Sequence, residues 1–122
     1  MRLIALGDLT THVLDLTAGA PAAGVMVELH ELLSATSTLM CSLFTGADGR
    51  SPRPLIDGPA LHSGRYSLTF HVAEYFRSRG IRLADPPFLE EIVVRIGISR
   101  ADEHYHVPLL ISPWSYSVYR GG

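Results

Sequence analysis

The residues with the clearest chemical potential are six histidines. Histidine is the side chain best suited to move protons near neutral pH. His104 and His106 lie two apart in HYHVPLLI. On an extended strand they share a face, while Tyr105, Val107 and Leu109 take the other. A His-x-His pair on a strand can bind a metal, but a metal site needs a third ligand and none stands at characteristic spacing. A metal-free polar site is the better reading. His12 sits in LTTHVLDL on the face that carries Thr10, Leu14 and Leu16. Its plain reading is a core-edge histidine bonded to a neighbour. His30 and His71 read as outward strand positions and His62 as a loop residue.

Arg50 closes the turn Ala47-Asp48-Gly49-Arg50. Asp-Gly is a hairpin signal, so the turn accounts for Asp48 and Gly49 without any function. It does not account for Arg50, which is either solvated or an anion-binding group. The chain ends Tyr119-Arg120-Gly121-Gly122. Two terminal glycines read as a frayed tail. A tail folded back into a site would need that small size and would bring a carboxylate. Cys41 alternates with Leu39 and Leu43 and reads as a small buried hydrophobe. No Gly-x-Ser-x-Gly elbow is present. Glu90 and Glu91 point to opposite strand faces, so they are not a paired-carboxylate site.

The elements that must position these groups are short. Gly and Pro number 11 and 8 and fall between brief apolar runs, the punctuation of an all-β domain. Strands are expected over Leu9–Leu16, about Val25–Leu32, Thr38–Thr45, Arg65–Val72, Phe88–Ile98, about His104–Ile111 and about Ser115–Arg120. The segment AGAPAAG reads as a turn, and the loop over 46–61 has room for one short edge strand. In the Phe88–Ile98 strand, Phe88, Ile92, Val94, Ile96 and Ile98 share a face. Ala73–Arg79 reads as a short helix that Gly80 can terminate in the left-handed conformation. Pro108 inside a strand argues for an edge position or a bulge. Seven or eight short strands with one helix bury their apolar faces most naturally as a two-sheet sandwich.

The composition bounds the rest. A chain of 122 residues is expected to form one domain, spanning 1–122, with a real core. With 47% hydrophobic and 18% charged residues, disorder is not expected. A net charge of −2 gives no footprint for nucleic acid or an acidic membrane surface. All ten basic residues are Arg, which removes Schiff-base chemistry and Lys-dependent phosphate loops. No stretch approaches the ~20 apolar residues of a membrane span. One cysteine and the lack of a signal-peptide pattern fit a reducing, cytoplasmic setting.

Three separated motifs in order make a closer reading possible: LTTHVLDLTAGAPAAGVMVEL, the loop containing ADGR, and HYHVPLLISPWSYSVYRGG. Together, from about Leu9 to Gly122, they resemble the 5-hydroxyisourate hydrolases, the transthyretin-like enzymes of urate breakdown. The last motif corresponds to that family's HYHVPLLLSP segment and closing Tyr-Arg-Gly-Ser. The resemblance implies a transthyretin-like sandwich of two four-stranded antiparallel sheets with a short helix after the fifth strand. It implies a homotetramer, a dimer of dimers with active sites in the clefts between dimers. It also implies hydrolysis of 5-hydroxyisourate to 2-oxo-4-hydroxy-4-carboxy-5-ureidoimidazoline without a metal or organic cofactor. The family's catalytic residues fall on His12, Arg50 and His106. Its closing tetrapeptide falls on Tyr119, Arg120, Gly121 and Gly122, and His104 matches the first His of the HYH motif. The usual terminal Ser is Gly122 here, so this chain lacks that hydroxyl.

On this resemblance His106 or His12 would activate water, Arg50 would stabilise charge on the acyl oxygen, and the second His would protonate the leaving nitrogen. Tyr119 and Arg120 would wall the pocket. The residues alone do not divide base from acid between the two histidines. The transthyretin branch of the family carries hormone and lacks the His/Arg set, which favours the hydrolase branch. The alternative is a non-catalytic transthyretin-like module that holds a planar small ligand, for which the missing terminal Ser is the best support.

Overall fold

The computed structural model describes residues 7–122, so residues 1–6 of the expected single domain lie outside the described residues. Eight strands and one helix follow in order: β1 Leu9–Asp15, β2 Ala20–Pro21, β3 Met26–Leu32, β4 Ser37–Phe44, β5 Gly64–Phe70, α1 Val72–Ser78, β6 Ile92–Ile98, β7 Tyr105–Ile111 and β8 Tyr116–Val118. They form two four-stranded sheets, ordered β2-β1-β7-β8 and β4-β3-β5-β6. This is the expected sandwich, with the helix after the fifth strand. Among the described residues no helix is long and apolar enough to cross a membrane.

Period-two patterning decides which side chains reach the interior. In β1, Leu9, Thr11, Val13 and Asp15 are buried, whereas Thr10, His12 and Leu14 face outward. Val27 and Leu29 of β3, Leu68 and Phe70 of β5, and Leu109 and Ile111 of β7 meet the inner face of β1 in one core. Burial of such side chains contributes roughly 1.5–3 kcal/mol each. The polar groups on the inner face are satisfied. Thr11 Oγ1 donates to the Val107 carbonyl at 2.7 Å. Asp15 accepts from the Tyr75 hydroxyl at 2.8 Å, which ties α1 to the end of β1.

Five local features depart from the sequence expectation. All pairings are antiparallel except the central β1–β7 pair, which is parallel over seven residues from Leu9↔Tyr105 to Asp15↔Ile111. The segment read as a plain turn contains β2, which pairs with Leu14 and Asp15 of β1. The strand expected from Phe88 begins only at Ile92, because its partner β5 ends there in the pair Phe70↔Ile92 and the chain turns into α1. Phe88 is therefore 71% exposed. It stands against Trp114, ring centroids 6.0 Å apart.

Pro108, expected at an edge or bulge, lies in the interior strand β7 between β1 and β8. The β7 carbonyls on that side take bonds from the tail: Pro108 O accepts from Tyr119 N at 3.4 Å and His106 O from Gly121 N at 2.7 Å. A residue's N–H points the same way as its C=O, so the donor that proline lacks would face the tail. There β8 has ended and regular pairing has lapsed, so the missing bond costs little. Cys41 and Leu43 pack partly against the core as expected. Leu39 does not, because the β3–β4 register shifts between Leu29 and His30 and turns it outward, 52% exposed.

Candidate active site

The parallel β1–β7 pair assembles the site on the outer face of its sheet. Its register sets Thr10 opposite His106 and His12 opposite Pro108. Thr10 Oγ1 lies 2.8 Å from His106 Nδ1. The rings of His12 and His106 have centroids 6.4 Å apart. His104 precedes β7 and points to the same side as His106, and its Nδ1 accepts from the Asp8 amide at 3.3 Å.

The Asp48-Gly49-Arg50 turn docks on this face by backbone pairing of Arg50 with His12. The Val13 amide donates to the Gly49 carbonyl at 2.8 Å. Gly49 has φ +79°, and any β-carbon there would collide with the Val13 carbonyl oxygen. Glycine is thus required twice over, by conformation and by the closeness of β1. Asp48 holds the turn from both ends: its carboxylate accepts from the Arg50 amide at 3.0 Å, and its carbonyl accepts from His12 Nε2 at 2.9 Å.

The chain end closes the site from the far side of β7. Gly121 pairs with His106, and a β-carbon at Gly121 would lie 2.8 Å from His106 Cδ2. The small size of Gly121 is therefore a packing requirement, and the tail is bound there rather than frayed.

These elements enclose an open cleft of about 370 Å³ lined by Thr10, Arg50, Arg53, His104, His106 and Gly122, among others. Burial holds the His106 imidazole below its ordinary pKa of 6.5, and the positive charge of Arg50 pushes it the same way. His106 is therefore neutral at neutral pH, with a lone pair available for proton transfer. Among the described residues no group of three His, Cys, Asp or Glu is arranged to hold a metal ion.

Of the residues singled out by sequence, Arg50, His104, His106 and Gly122 converge on the cleft, and His12 stands beside it. Tyr119 and Arg120 do not wall it. They line a second groove between the β6 and β8 edges, with Val94, Ile96, Tyr105, Val107 and Val118. Arg120 is held there by Glu103 Oε1 at 3.0 Å and the His104 carbonyl at 3.1 Å. Its guanidinium sits 4.2 Å over the Tyr105 ring. Thr10 and Arg53 are site residues that sequence reasoning did not single out. Thr10 carried a usable signal, since strand parity puts it on the His12 face. Arg53 is also drawn toward Cys41, with Nη1 donating to Sγ at 3.5 Å. Of the remaining histidines, His62 bonds Glu31 and His71 bonds Glu28.

Comparison with known proteins bears on the family and the fold. The HIUase/Transthyretin family matches residues 9–121. "5-hydroxyisourate hydrolase 2" of Rhizobium meliloti is 50% identical over 115 residues, which cover 94% of this chain and 96% of that protein. The solved structure of Klebsiella pneumoniae 5-hydroxyisourate hydrolase superimposes with a TM-score of 0.75 at 31% identity, covering 96% of this chain and 100% of that one. A crystal structure of (S)-allantoin synthase aligns with a TM-score of 0.90 at 44% identity, covering 97% of this chain but 44% of the larger chain. By sequence along nearly its whole length and by fold, this chain belongs to the HIUase/Transthyretin family.

Proposed function

We propose that this protein hydrolyses 5-hydroxyisourate to 2-oxo-4-hydroxy-4-carboxy-5-ureidoimidazoline, a step in urate breakdown. The observation that carries the reading is the convergence of Arg50, His104, His106 and the chain terminus on one cleft beside His12. Its relatives carry the name of that activity over nearly their full length.

The substrate is small, planar and anionic, and its ring opens when water attacks an acyl carbon bonded to a ring nitrogen. His106, neutral and half-buried, takes a proton from that water at Nε2. The water oxygen bonds to the acyl carbon, and the guanidinium of Arg50 stabilises the negative charge that develops on the acyl oxygen. The C–N bond then breaks with its electron pair on nitrogen, which receives the proton. General acid–base help of this kind is worth typically 10²–10⁴-fold. His12 keeps Nε2–H on the Asp48 carbonyl, so its Nδ1 is the atom free to exchange a proton. His104 donates from Nε2 to bound substrate. Gly121 and Gly122 bring the chain end to the cleft, and Tyr119 and Arg120 hold that end in place.

The working form is a homotetramer, a dimer of dimers. The edges of β6 and β8 lie on the same side of the sandwich and are unpaired in the single chain. The groove between them has an apolar lining of Val94, Ile96, Val107 and Val118. Leu16 and Trp114 add large exposed apolar side chains, 57% and 69% accessible, beyond the far end of β7. A cytoplasmic setting fits the single, half-buried Cys41 thiol.

The test is direct. Urate oxidase generates 5-hydroxyisourate from urate in situ, and its near-ultraviolet decay is followed with and without this protein. Acceleration at catalytic protein concentration is the expected result. Decay at the spontaneous rate would sink the hydrolase reading and leave a non-catalytic module for a planar ligand.

A further inference from the structure

The three histidines around the cleft are anchored by three different kinds of partner. His12 Nε2 faces a carbonyl oxygen, that of Asp48, at 2.9 Å. A carbonyl only accepts, so this nitrogen keeps its hydrogen in both the neutral and the charged ring. His104 Nδ1 faces the Asp8 amide at 3.3 Å. An amide only donates, so Nδ1 must keep its lone pair, and His104 can hold a proton on Nε2 alone. His106 Nδ1 faces the Thr10 hydroxyl at 2.8 Å. A hydroxyl both donates and accepts. His106 is thus the one ring of the three that can take both neutral tautomers and the imidazolium form with its anchor intact.

We propose that Thr10 is a positioning residue of the cleft, whose hydroxyl lets His106 take up and release a proton at Nε2 without losing its bond at Nδ1. The inference rests on the hydrolytic reading of the site and extends it to a residue outside the His/Arg set. While Nδ1–H donates to Thr10 Oγ1, the Nε2 lone pair removes a proton from the attacking water. The imidazolium keeps the same Nδ1–H···Oγ1 bond. The departing ring nitrogen, now holding the electron pair of the broken C–N bond, takes the proton back from Nε2. The hydroxyl steadies the cation without adding charge. A carboxylate in its place would raise the pKa of the ring and hold the proton too tightly.

Three observations support the assignment. The parallel register places Thr10 directly opposite His106, so the bond is set by the backbone of two interior strands. Thr10 is β-branched, which limits the directions its hydroxyl can take. The charged or titratable side chains around His106 are Arg50, Arg53, His12 and His104, with no Asp or Glu side chain lining the cleft. No Asp or Glu side chain lining it competes for the Nδ1 hydrogen.

The test uses the full-length protein and the variants Thr10→Val, Thr10→Ser and Thr10→Ala. Valine keeps the shape and removes the hydroxyl. Thr10→Val should lower kcat by about tenfold, a fraction of what general acid–base help supplies, with little change in KM. The acid limb of its kcat profile should move to lower pH, because the imidazolium loses its acceptor. Thr10→Ser should restore both the rate and the pH profile. Nitrogen-15 NMR of the His106 ring should report a changed balance of Nδ1–H and Nε2–H in Thr10→Val but not in Thr10→Ser. Thr10→Ala provides the same comparison should valine disturb the sheet. An unchanged kcat, pH profile and ring tautomer in the valine or alanine variant would overturn the inference. So would a loss of rate that serine does not rescue. The NMR measurement needs no turnover, so an inactive wild-type protein would defeat the proposed function and still leave the Thr10–His106 bond tested.

Discussion

The chemistry of the cleft turns on two groups whose state is set by their surroundings. Burial and the positive charge of Arg50 hold the pKa of the His106 imidazole below its ordinary value of 6.5. The base form is fully present above that pKa and is lost as pH falls through it. The acid limb of kcat/KM should therefore have its midpoint below about pH 6.5, the ordinary imidazole value. A limb centred clearly above that value would contradict the neutral-base role. Arg50 matters through its shape as well as its charge. Its planar fork can meet two oxygens of an anionic substrate, whereas a lysine ammonium is a point charge. Arg50→Lys should lower kcat/KM by about 10²-fold or more, comparable to the loss of one charge-stabilising donor. Full activity in that variant would show that the assigned role is wrong.

At the scale of elements, the site depends on three backbone contacts that converge on β1 and β7. The Asp48-Gly49-Arg50 turn docks on β1, the chain end docks on β7, and the parallel β1–β7 pair joins them. Gly121 is where this arrangement is tightest. Alanine there would place a methyl group 2.8 Å from His106 Cδ2 and 3.2 Å from Pro108 Cγ. The ring or the tail must then move, so Gly121→Ala should cost activity by about 10²-fold, the scale of a 1 Å misplacement, while the thermal midpoint stays nearly constant. A variant with normal turnover would show that the tail's position is immaterial.

Much of this was legible in the sequence. The alternation in LTTHVLD and HYHVPLLI put His12 on one face of its strand and His104 with His106 on a shared face of another, and ADGR marked a turn with an unexplained arginine. The contact that brings these pieces together was not legible, because β1 and β7 lie 96 residues apart and their parallel register leaves no local trace. For the same reason Thr10 went unnoticed as a partner of His106. Pro108 was misread because strand position depends on neighbours that a local pattern does not reveal. The late start of β6 was likewise decided by its partner, where β5 gives way to α1. Tyr119 and Arg120 follow the catalytic motif in sequence, yet Glu103 and the Tyr105 ring draw Arg120 to the other side of β7.

At the scale of the whole molecule, the single chain leaves one side open. The β6 and β8 edges carry unpaired backbone groups beside the groove of Val94, Ile96, Tyr105, Val107 and Val118. Exposed edges of this kind invite pairing with another chain. Pairing across these edges would bury Tyr119 and Arg120 at an interface between subunits. Val118→Arg, on β8 at that groove, should reduce the mass measured by sedimentation below that of the proposed tetramer while the fold persists by circular dichroism. An undiminished mass would place the assembly contacts elsewhere.

The measurement that bears most directly on the central claim is the rate of 5-hydroxyisourate decay in the presence of wild-type protein and of His106→Ala at equal concentration. His106 is half-buried on the outer face of its sheet, so the alanine variant should keep the fold and the assembly. The wild-type protein should accelerate the decay strongly, and the variant should lose about 10²–10⁴-fold of that acceleration, the range expected when general acid–base help is removed. A folded His106→Ala protein that matched the wild-type rate would contradict the account, because hydrolysis would then be taking place without the group around which the cleft is built.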